Sequence, residues 1–398
     1  MIQREILPLL QERFFRKKVI LLVGARQVGK TTLLRAIAAD ATAGGRKCVF
    51  LNCDEPDTRL QLTLPTSTQL GALTGDADFV FIDEAQRVQD ISITLKLIVD
   101  TFPEKQVVVS GSSALELSNT INEPLTGRKY DFSLFPFSVR ELVAAGSAQT
   151  EKRLLETRLV FGTYPDIVNN PGHERELLGE LASTYLYKDI FAFQDVRKPA
   201  LIEILLRALA LQVGSEASYG ELARTCGINV LTVRRYLDLL EKTYIIFHLP
   251  AFSRNIRSEL KKSVKFYFYD NGIRNALISN FNPPALRTDT GALWENFLVA
   301  ERVKRVRGAR TDTGTYFWRT HEQQEIDFVE EDRGALDGVV SGGTSSDGTA
   351  RAGSSLSAYE FKWDANRTLR PPSAFATYYP DAKWTVVTPA NYLDFVAG

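Results

Sequence analysis

The sequence predicts an α/β fold whose first part is a parallel β-sheet with helices on both faces. An apolar run at 19–23 leads into a glycine-containing loop, and a segment with helical character follows at 32–39. Further apolar runs, separated by helical stretches, occupy residues 48–52, 79–84, 106–109 and 130–134. Continuous apolar strands are typical of parallel sheets because helices cover both faces. We therefore expect the functional site at the carboxyl ends of these strands.

Length and composition limit the classes of protein to consider. The chain has 398 residues, which predicts two to four domains. Its 48 basic and 48 acidic residues give no net charge, so any contact with nucleic acid must depend on a local patch. The three cysteines have no zinc-ligand spacing with histidine, as expected of free thiols in a reducing compartment. The sequence has no run typical of a membrane span or signal peptide, and we expect a cytoplasmic protein without membrane contact.

The loop after the first strand has the spacing of a phosphate-binding loop. Its glycines let successive backbone N–H groups point inward, and the N-terminus of the next helix adds partial positive charge. We expect Lys30 to reach the β- and γ-phosphates of ATP and the Thr31 hydroxyl to bind Mg²⁺. The alternative is a glycine turn beside a fortuitous Gly-Lys-Thr. The predicted nucleotide-binding residues are Gly24, Ala25, Arg26, Gln27, Val28, Gly29, Lys30, Thr31 and Thr32.

Acids and hydroxyls follow two of the later strands. Asp83 and Glu84 end a strand that we expect to lie beside the strand feeding the loop. There Asp83 would hold Mg²⁺ through water, and Glu84 would act as the general base for the attacking water. The alternative is a pair of solvated acids. Ser110, followed by Ser112 and Ser113, could contact the γ-phosphate and position the water, although serines are also good turn formers.

The middle of the chain predicts a helical lid or linker and then a winged helix. Helical patterns dominate residues 151–210. Two short helices then meet at a glycine turn in which Asn229 is a candidate N-cap, and two strands flank a basic loop, which predicts a winged helix over 211–285.

A local basic cluster belongs to this predicted winged helix. Such a cluster suits contacts with DNA phosphates, which supply affinity without reading the base sequence. The alternative is a module for docking proteins or packing subunits. The candidate contacts are Arg234 and Arg235 on the second helix and Arg254, Arg257, Lys261, Lys262 and Lys265 in the wing.

The last part, residues 286–398, carries a charged motif on a predicted helix and two strands. Glu295, Asp327, Glu360 and Lys362 occur in the order of the PD-(D/E)xK nuclease-like fold, which this region resembles. Strand alternation puts the last two on one face. Two carboxylates could bind Mg²⁺ while Lys362 activates water; the alternative is a charged sheet edge. Residues 334–355 are rich in Gly, Ser, Thr and Asp, which predicts a mobile insertion.

The ordered set of motifs resembles the AAA+ ATPases, and among them a prokaryotic family that joins such a core to a further C-terminal domain. The resemblance implies that Arg128 takes the place of an arginine finger, which would act on the nucleotide of a neighbouring subunit in a homo-oligomer. The alternative is a surface arginine paired with a nearby acid. The resemblance rests on residues 24–32, 82–86, 110–113, 125–128, 135–141, 162–165 and 267–270.

Together these patterns predict an AAA+-like ATPase core at 1–150, a helical lid, a winged helix and a nuclease-like domain. We expect Mg²⁺-dependent ATP hydrolysis coupled to DNA binding or remodelling. One alternative is a nucleotide-gated regulator or scaffold with slow hydrolysis and a degenerate nuclease domain. The other is an ATP-controlled DNA nuclease.

Overall fold

A computed structural model describes most of the chain. The described residues are 2–111, 125–185, 199–252, 264–320, 322–333, 355–366 and 369–398. Within these ranges the chain forms three β-sheets and the helices that cover them. No helix in these ranges is both long and apolar enough to cross a bilayer.

The first sheet is parallel throughout, as the continuous apolar runs predict. Strands β1, β3 and β4 are buried along their whole length, because helices cover both faces of the sheet. Its strands, in the spatial order β2-β3-β4-β1-β5, are β1 (Val19–Gly24), β2 (Cys48–Asn52), β3 (Phe79–Asp83), β4 (Gln106–Gly111) and β5 (Lys129–Leu134).

The strand order corrects one expectation. Strand β3, which ends at Asp83, is not the neighbour of β1, because β4 lies between them. Both β1 and β3 pair with β4 in parallel. The end of β4 therefore separates the glycine loop from the acids, and a β4 side chain can contact Asp83.

Helices pack on both faces of this sheet. Alternation along β3 turns Phe79 and Phe81 toward one apolar layer and Val80 and Ile82 toward the other. The helices interspersed with these strands are α1 (Ile6–Gln11), α2 (Lys30–Ala43), α3 (Pro56–Leu62), α4 (Ser67–Thr74) and α5 (Ile91–Thr101).

A helical segment follows the sheet, in agreement with the helical patterns of the sequence. A π-helical turn over Leu181–Tyr185 extends its fifth helix. The helices are α6 (Val139–Ala145), α7 (Ala148–Arg153), α8 (Leu155–Phe161), α9 (Pro165–Asn169), α10 (Glu174–Glu180) and, after residues that are not described, α11 (Pro199–Leu211).

A small antiparallel sheet and two helices come next. Asn229 caps the second helix, since its side-chain oxygen accepts a hydrogen bond from the Thr232 N–H at 2.8 Å. The sheet has the order β6-β8-β7. The elements are β6 (Glu216–Ala217), α12 (Tyr219–Cys226), α13 (Val230–Lys242), β7 (Ile246–Leu249) and β8 (Val264–Phe268).

The last sheet is mixed, with the order β12-β11-β10-β9. Strands β9, β10 and β11 pair antiparallel, whereas β11 and β12 pair in parallel. The elements of this part are α14 (Asn271–Leu277), α15 (Thr290–Ala309), β9 (Thr313–Arg319), β10 (Glu325–Asp332), β11 (Ser355–Phe361), α16 (Ser373–Tyr378), β12 (Lys383–Val387) and α17 (Tyr392–Val396). Of the predicted insertion, residues 334–354 lie outside the described part.

Helix α15 joins the three sheets. It packs against β5 of the first sheet, β8 of the second and β11 of the third. Its buried residues lie on several sides, including Trp294 and Leu298, as expected of a helix enclosed in a core. Two charges near its C-terminal half are also buried: Glu301 accepts a hydrogen bond from the Val139 N–H at 2.7 Å and pairs with Lys304 at 2.8 Å.

Candidate nucleotide site and C-terminal charged cluster

The loop between β1 and α2 has a backbone that glycine makes possible. A Cβ at Gly24 would lie 2.1 Å from the Leu134 carbonyl oxygen of the adjacent strand, so no larger residue fits. Gly29 has a left-handed φ of 96° immediately before the first residue of α2. No side chain caps this helix, and the N-terminus of a helix is suited to bind an anion.

Lys30 lies inside the curve of the loop. Its side chain is buried, and its ammonium donates hydrogen bonds to the carbonyl oxygens of Gly24 at 2.9 Å and Ala25 at 2.7 Å. Thr31 follows on the first turn of α2 and is half-buried. The predicted phosphate-binding residues thus form a turn from β1 into α2 that Lys30 closes through its bonds to Gly24 and Ala25.

Ser110 connects the two acids after β3. Its hydroxyl donates a hydrogen bond to Asp83 and accepts one from the Glu84 N–H at 3.2 Å. Asp83 and Ser110 are both buried, whereas Glu84 is half-buried and has a left-handed φ of 54°. The Gln86 side-chain amide donates to the Glu84 carboxylate at 2.5 Å and fixes its orientation.

These residues fit a magnesium nucleotide. The Thr31 hydroxyl and the Asp83 carboxylate are the hard oxygen donors that Mg²⁺ prefers, and one or two protein ligands suffice when phosphates and waters supply the rest. In the described part of the chain, no group of three or more His, Cys, Asp or Glu side chains could hold a metal by itself. A divalent ion at the loop would therefore depend on nucleotide oxygens.

Arg4 supports the loop from behind, and the sequence patterns did not reveal it. Its guanidinium donates to the Val28 carbonyl at 2.8 Å and to the Phe135 carbonyl at 2.5 Å. The same group pairs with Glu141 at 2.9 Å, and both side chains are buried. Because Glu141 is 137 residues away in the chain, no local motif could have signalled this contact.

Arg128 lies at the opposite edge of the sheet from the loop. It precedes β5, whose first residue pairs with Val19 at the start of β1, and its guanidinium pairs with Asp100 at 2.8 Å. Since the loop follows the sixth residue of β1, about 17 Å along the strand separates the two ends. Arg128 is thus too far away to contact a nucleotide held by its own chain.

The basic residues predicted for DNA contact fall into three groups. Arg234 and Arg235 are exposed on α13, and Arg234 lies 4.9 Å from the centre of the Tyr219 ring. Lys265 is different: its side chain is only 3 % exposed, so the expectation that it contacts DNA phosphates is wrong. The other predicted contacts, Arg254, Arg257, Lys261 and Lys262, lie outside the described residues, as do Ser112 and Ser113.

The structure brings the four predicted nuclease-like residues into one cluster. The register that pairs Phe328 with Tyr359 continues to Asp327 opposite Glu360, two carboxylates on neighbouring antiparallel strands. Lys362 pairs with Glu360 at 2.7 Å. Glu295 enters from α15, and Lys265 of β8 pairs with it at 3.1 Å.

Burial and crowding change the acidity of this cluster. Burial, together with the nearby Asp327 charge, raises the pKa of Glu295 to about 7. Burial also raises the pKa of Asp327 and Glu360. For Lys265 burial alone would lower the pKa, but the surrounding carboxylates outweigh it and raise the pKa above its ordinary value. The cluster therefore favours a charged ammonium and a retained carboxyl proton near neutral pH.

The fold and the loop define the class of the first part. Residues 16–143 match the AAA domain family. Together with the five-stranded parallel sheet, this match identifies a P-loop domain of the AAA ATPase class. Residues 152–284 match a domain of unknown function (DUF8612), and residues 290–339 match another (DUF4143).

Relatives extend over most of the chain. An uncharacterized protein of Mycobacterium tuberculosis is 29 % identical over 337 residues, which are 83 % of this chain and 71 % of that protein. One of Haemophilus influenzae is 25 % identical over 63 % of this chain and 62 % of that protein. Among solved structures, the Walker-type ATPase of Pyrococcus abyssi has a TM-score of 0.48 and 17 % identity, covering 70 % of this chain and 96 % of that chain. DnaA from Aquifex aeolicus, bound to AMPPCP, has a TM-score of 0.32 and 15 % identity, covering 61 % and 88 %.

Proposed function

We propose that this chain binds ATP with Mg²⁺ and hydrolyses it at the loop between β1 and α2. The observation that carries the proposal is the arrangement at the carboxyl edge of three neighbouring strands: Lys30 after β1, Ser110 on β4 and Asp83 at the end of β3. A cation, a buried acid and a hydroxyl that bonds this acid thus face the same edge of the sheet. This is the combination that phosphoryl transfer requires.

Each side chain has a role that follows from its contacts. Lys30 would exchange the loop carbonyls for phosphate oxygens, which are stronger acceptors because they are charged. Thr31 and Asp83 would hold Mg²⁺. When bound, Mg²⁺ offsets negative charge on the phosphates. Glu84, held by Gln86, would accept a proton from the attacking water.

The test is ATP binding and turnover in the full chain. We expect Lys30→Ala to lose nucleotide binding because it removes the ammonium inside the loop. Glu84→Gln should bind ATP normally but turn it over on the order of 10²–10⁴-fold more slowly, since it removes only the base. Lys47→Ala is the control, because Lys47 is exposed and paired only at the surface with Asp76. Normal turnover by Glu84→Gln would contradict the proposed base.

We further propose that hydrolysis is coupled to DNA through the helices α12 and α13. Their order with β6, β7 and β8 supports a winged helix, and the exposed Arg234 and Arg235 are suited to phosphate contacts. The same turnover assay, run with single-stranded and duplex DNA at several salt concentrations, tests this coupling. Stimulation should fall steeply with salt, and replacing both arginines by alanine should reduce the salt slope by about two. Salt-independent or absent stimulation would exclude the coupling.

Arg128 is proposed to act on the nucleotide of a neighbouring subunit. Its place at the far edge of the sheet, away from the loop of its own chain, supports action in trans in a homo-oligomer. The guanidinium would have to leave Asp100, and this exposed ion pair is a weak constraint. In trans, it would neutralise charge that develops on the transferred phosphate.

A second candidate function is a nucleotide-gated regulator or scaffold. It is favoured by the C-terminal cluster, in which the carboxylates already have donors from the protein itself. The third reading, an ATP-controlled DNA nuclease, requires metal-dependent DNA cleavage that is lost in Asp327→Ala. Loss of DNA-stimulated turnover in Lys30→Ala without any cleavage favours the ATPase, and the absence of both activities favours the scaffold.

A further inference from the structure

Strand β8 sends two side chains into the C-terminal charged cluster. The Lys265 ammonium lies 3.1 Å from the Glu295 carboxylate and 2.5 Å from that of Glu325. Two residues further along the strand, the Tyr267 hydroxyl donates to the same oxygen of Glu295 at 2.6 Å. The cluster is therefore built from the small antiparallel sheet as well as from α15 and the last sheet. Sequence motifs assign neither side chain to it.

The other carboxylates of the cluster also have donors within the protein. One oxygen of Asp327 accepts a hydrogen bond from the Phe361 N–H at 2.8 Å. Glu360 pairs with Lys362 at 2.7 Å. In the described ranges no group of three or more acid, histidine or cysteine side chains is arranged to hold a metal ion. A divalent ion at Asp327 and Glu360 would therefore have to displace hydrogen-bond donors that the protein itself supplies.

An ammonium and a divalent ion make different demands on carboxylates. An ammonium donates up to three hydrogen bonds at ordinary hydrogen-bond distances, which is the geometry around Lys265. Mg²⁺ needs oxygen ligands at about 2.0–2.1 Å in a nearly octahedral arrangement. A divalent ion near Lys265 would also meet a buried positive charge whose side chain is 3 % exposed and enclosed by the cluster. The Lys265 ammonium therefore competes with a divalent ion for the carboxylates of this cluster.

We propose that Lys265 takes the place of the cation in this cluster. The cluster then joins β8 to α15 and β10 as a permanent ion-pair contact between the second and third parts of the chain, and it does not bind the divalent metal on which a nuclease of this fold depends. This inference does not depend on ATP hydrolysis at the loop. On this inference the third part of the chain is held against the second by the cluster, and the third part does not cleave DNA.

The experiment measures Mn²⁺ binding to the full chain without nucleotide, by calorimetry or by the electron paramagnetic resonance of free Mn²⁺. The comparison is between the wild type and Asp327→Asn, because any Mn²⁺ in the cluster should depend on this carboxylate. We expect both to bind the same number of Mn²⁺ ions. Lys265→Gln should bind one additional Mn²⁺ per chain, and Lys265→Gln/Asp327→Asn should lose it again. Lys265→Arg, which keeps the charge, should bind no additional ion, and Lys47→Gln controls for loss of a surface lysine.

Two results would overturn the inference. One is a Mn²⁺ ion that the wild type binds and Asp327→Asn does not. The other is a folded Lys265→Gln that binds no additional Mn²⁺. If Lys265→Gln does not fold, Lys265→Gln/Glu325→Gln removes one carboxylate together with the ammonium and serves the same comparison. Because Lys30 and the loop are unchanged in all of these variants, ATP binding should persist, which separates failure of this inference from failure of the proposed ATPase.

Discussion

Ser110 is the residue whose hydroxyl links the two acids, Asp83 and Glu84. It bonds the Asp83 carboxylate and the Glu84 backbone at once, and it is fully buried between them. These contacts favour a role in holding the two acids, and the predicted contact with the γ-phosphate stays a prediction.

Replacing this hydroxyl should slow turnover without weakening ATP binding. We expect Ser110→Ala to lower kcat about tenfold, which corresponds to about 1.4 kcal/mol, because Asp83 and Glu84 lose their shared partner. The affinity for ATP should change little, since Lys30 and the loop are intact. Steady-state kinetics and nucleotide binding check both parts.

The control is a serine with a purely structural hydrogen bond. Ser218 caps α12 by accepting the Glu221 N–H at 3.1 Å, so Ser218→Ala should cost about 1 kcal/mol of stability. It should leave kcat unchanged. An unchanged kcat in Ser110→Ala would show that the acids are held in place by other contacts.

At this scale the sequence predicted the residues that belong to short motifs and missed those that do not. The loop, Asp83, Glu84 and Ser110 could be named because their order along the chain is itself a signal. Arg4 could not, because its partner Glu141 is distant in sequence and neither belongs to a repeating pattern. The predicted role of Lys265 was wrong because a lysine next to a basic loop in the sequence is expected to be exposed. Only the structure shows that it is buried.

Among the elements, helix α15 carries the contact between the first and last parts of the molecule. Its Glu301 accepts the Val139 N–H at the start of α6, and Lys304 lies close enough to pair with Glu301. Both charges are buried. Removing one of two buried paired charges is costly because the other is left without compensation.

We therefore expect Glu301→Ala to lower the free energy of unfolding by about 3–5 kcal/mol. The double variant Glu301→Ala/Lys304→Met should recover part of this loss, since it removes the ammonium that has lost Glu301, while the buried Asp270 loses the favourable Lys304 charge. Urea unfolding of the three proteins measures both values.

The exposed pair of Asp238 and Lys242 on α13 provides the comparison. Asp238→Ala should cost no more than about 0.5 kcal/mol, because an exposed ion pair contributes little. If the double variant is as unstable as Glu301→Ala, the hydrogen bond to Val139 rather than the charge pair determines the stability.

The sequence predicted the existence and type of most elements more reliably than their arrangement. Apolar runs predicted the strands of the first sheet. The position of β4 between β1 and β3 depends on contacts between distant parts of the chain, which no local pattern encodes. The same limit applies to β6, a strand of two residues that is too short to produce a periodicity. Residues 216–217 form a strand only because they pair with β8, which is distant in sequence.

For the molecule as a whole, the distance between Arg128 and the loop of the same chain makes a mixing experiment informative. If Arg128 acts in trans, a subunit with Arg128→Ala keeps an intact phosphate-binding loop but lacks the arginine finger that a neighbouring subunit needs. A subunit with Lys30→Ala offers the finger but cannot bind ATP. A mixed oligomer contains interfaces at which the intact loop of one subunit meets the intact arginine of the other.

We expect each variant alone to be nearly inactive and their mixture to regain ATP turnover. An arginine finger contributes about 10³–10⁵-fold to turnover, so even a minority of restored interfaces should be visible. The measurement is turnover against mixing ratio, with particle size recorded with and without a nonhydrolysable ATP analogue. Mixing Lys30→Ala with Glu84→Gln is the control, because neither contributes a working site. No recovery in the first mixture would show that Arg128 does not act in trans.

The buried contact behind the phosphate loop has a consequence for biosynthesis. Arg4 leaves the ribosome 137 residues ahead of Glu141, the partner that neutralises its charge. At about 5–20 residues per second this delay lasts roughly seven to thirty seconds. During that time a nascent chain has both its loop sequence and Arg4 but lacks the carboxylate that pairs with Arg4. The Arg4–Glu141 ion pair can therefore form only when α6 has emerged, after about a third of the chain has been made.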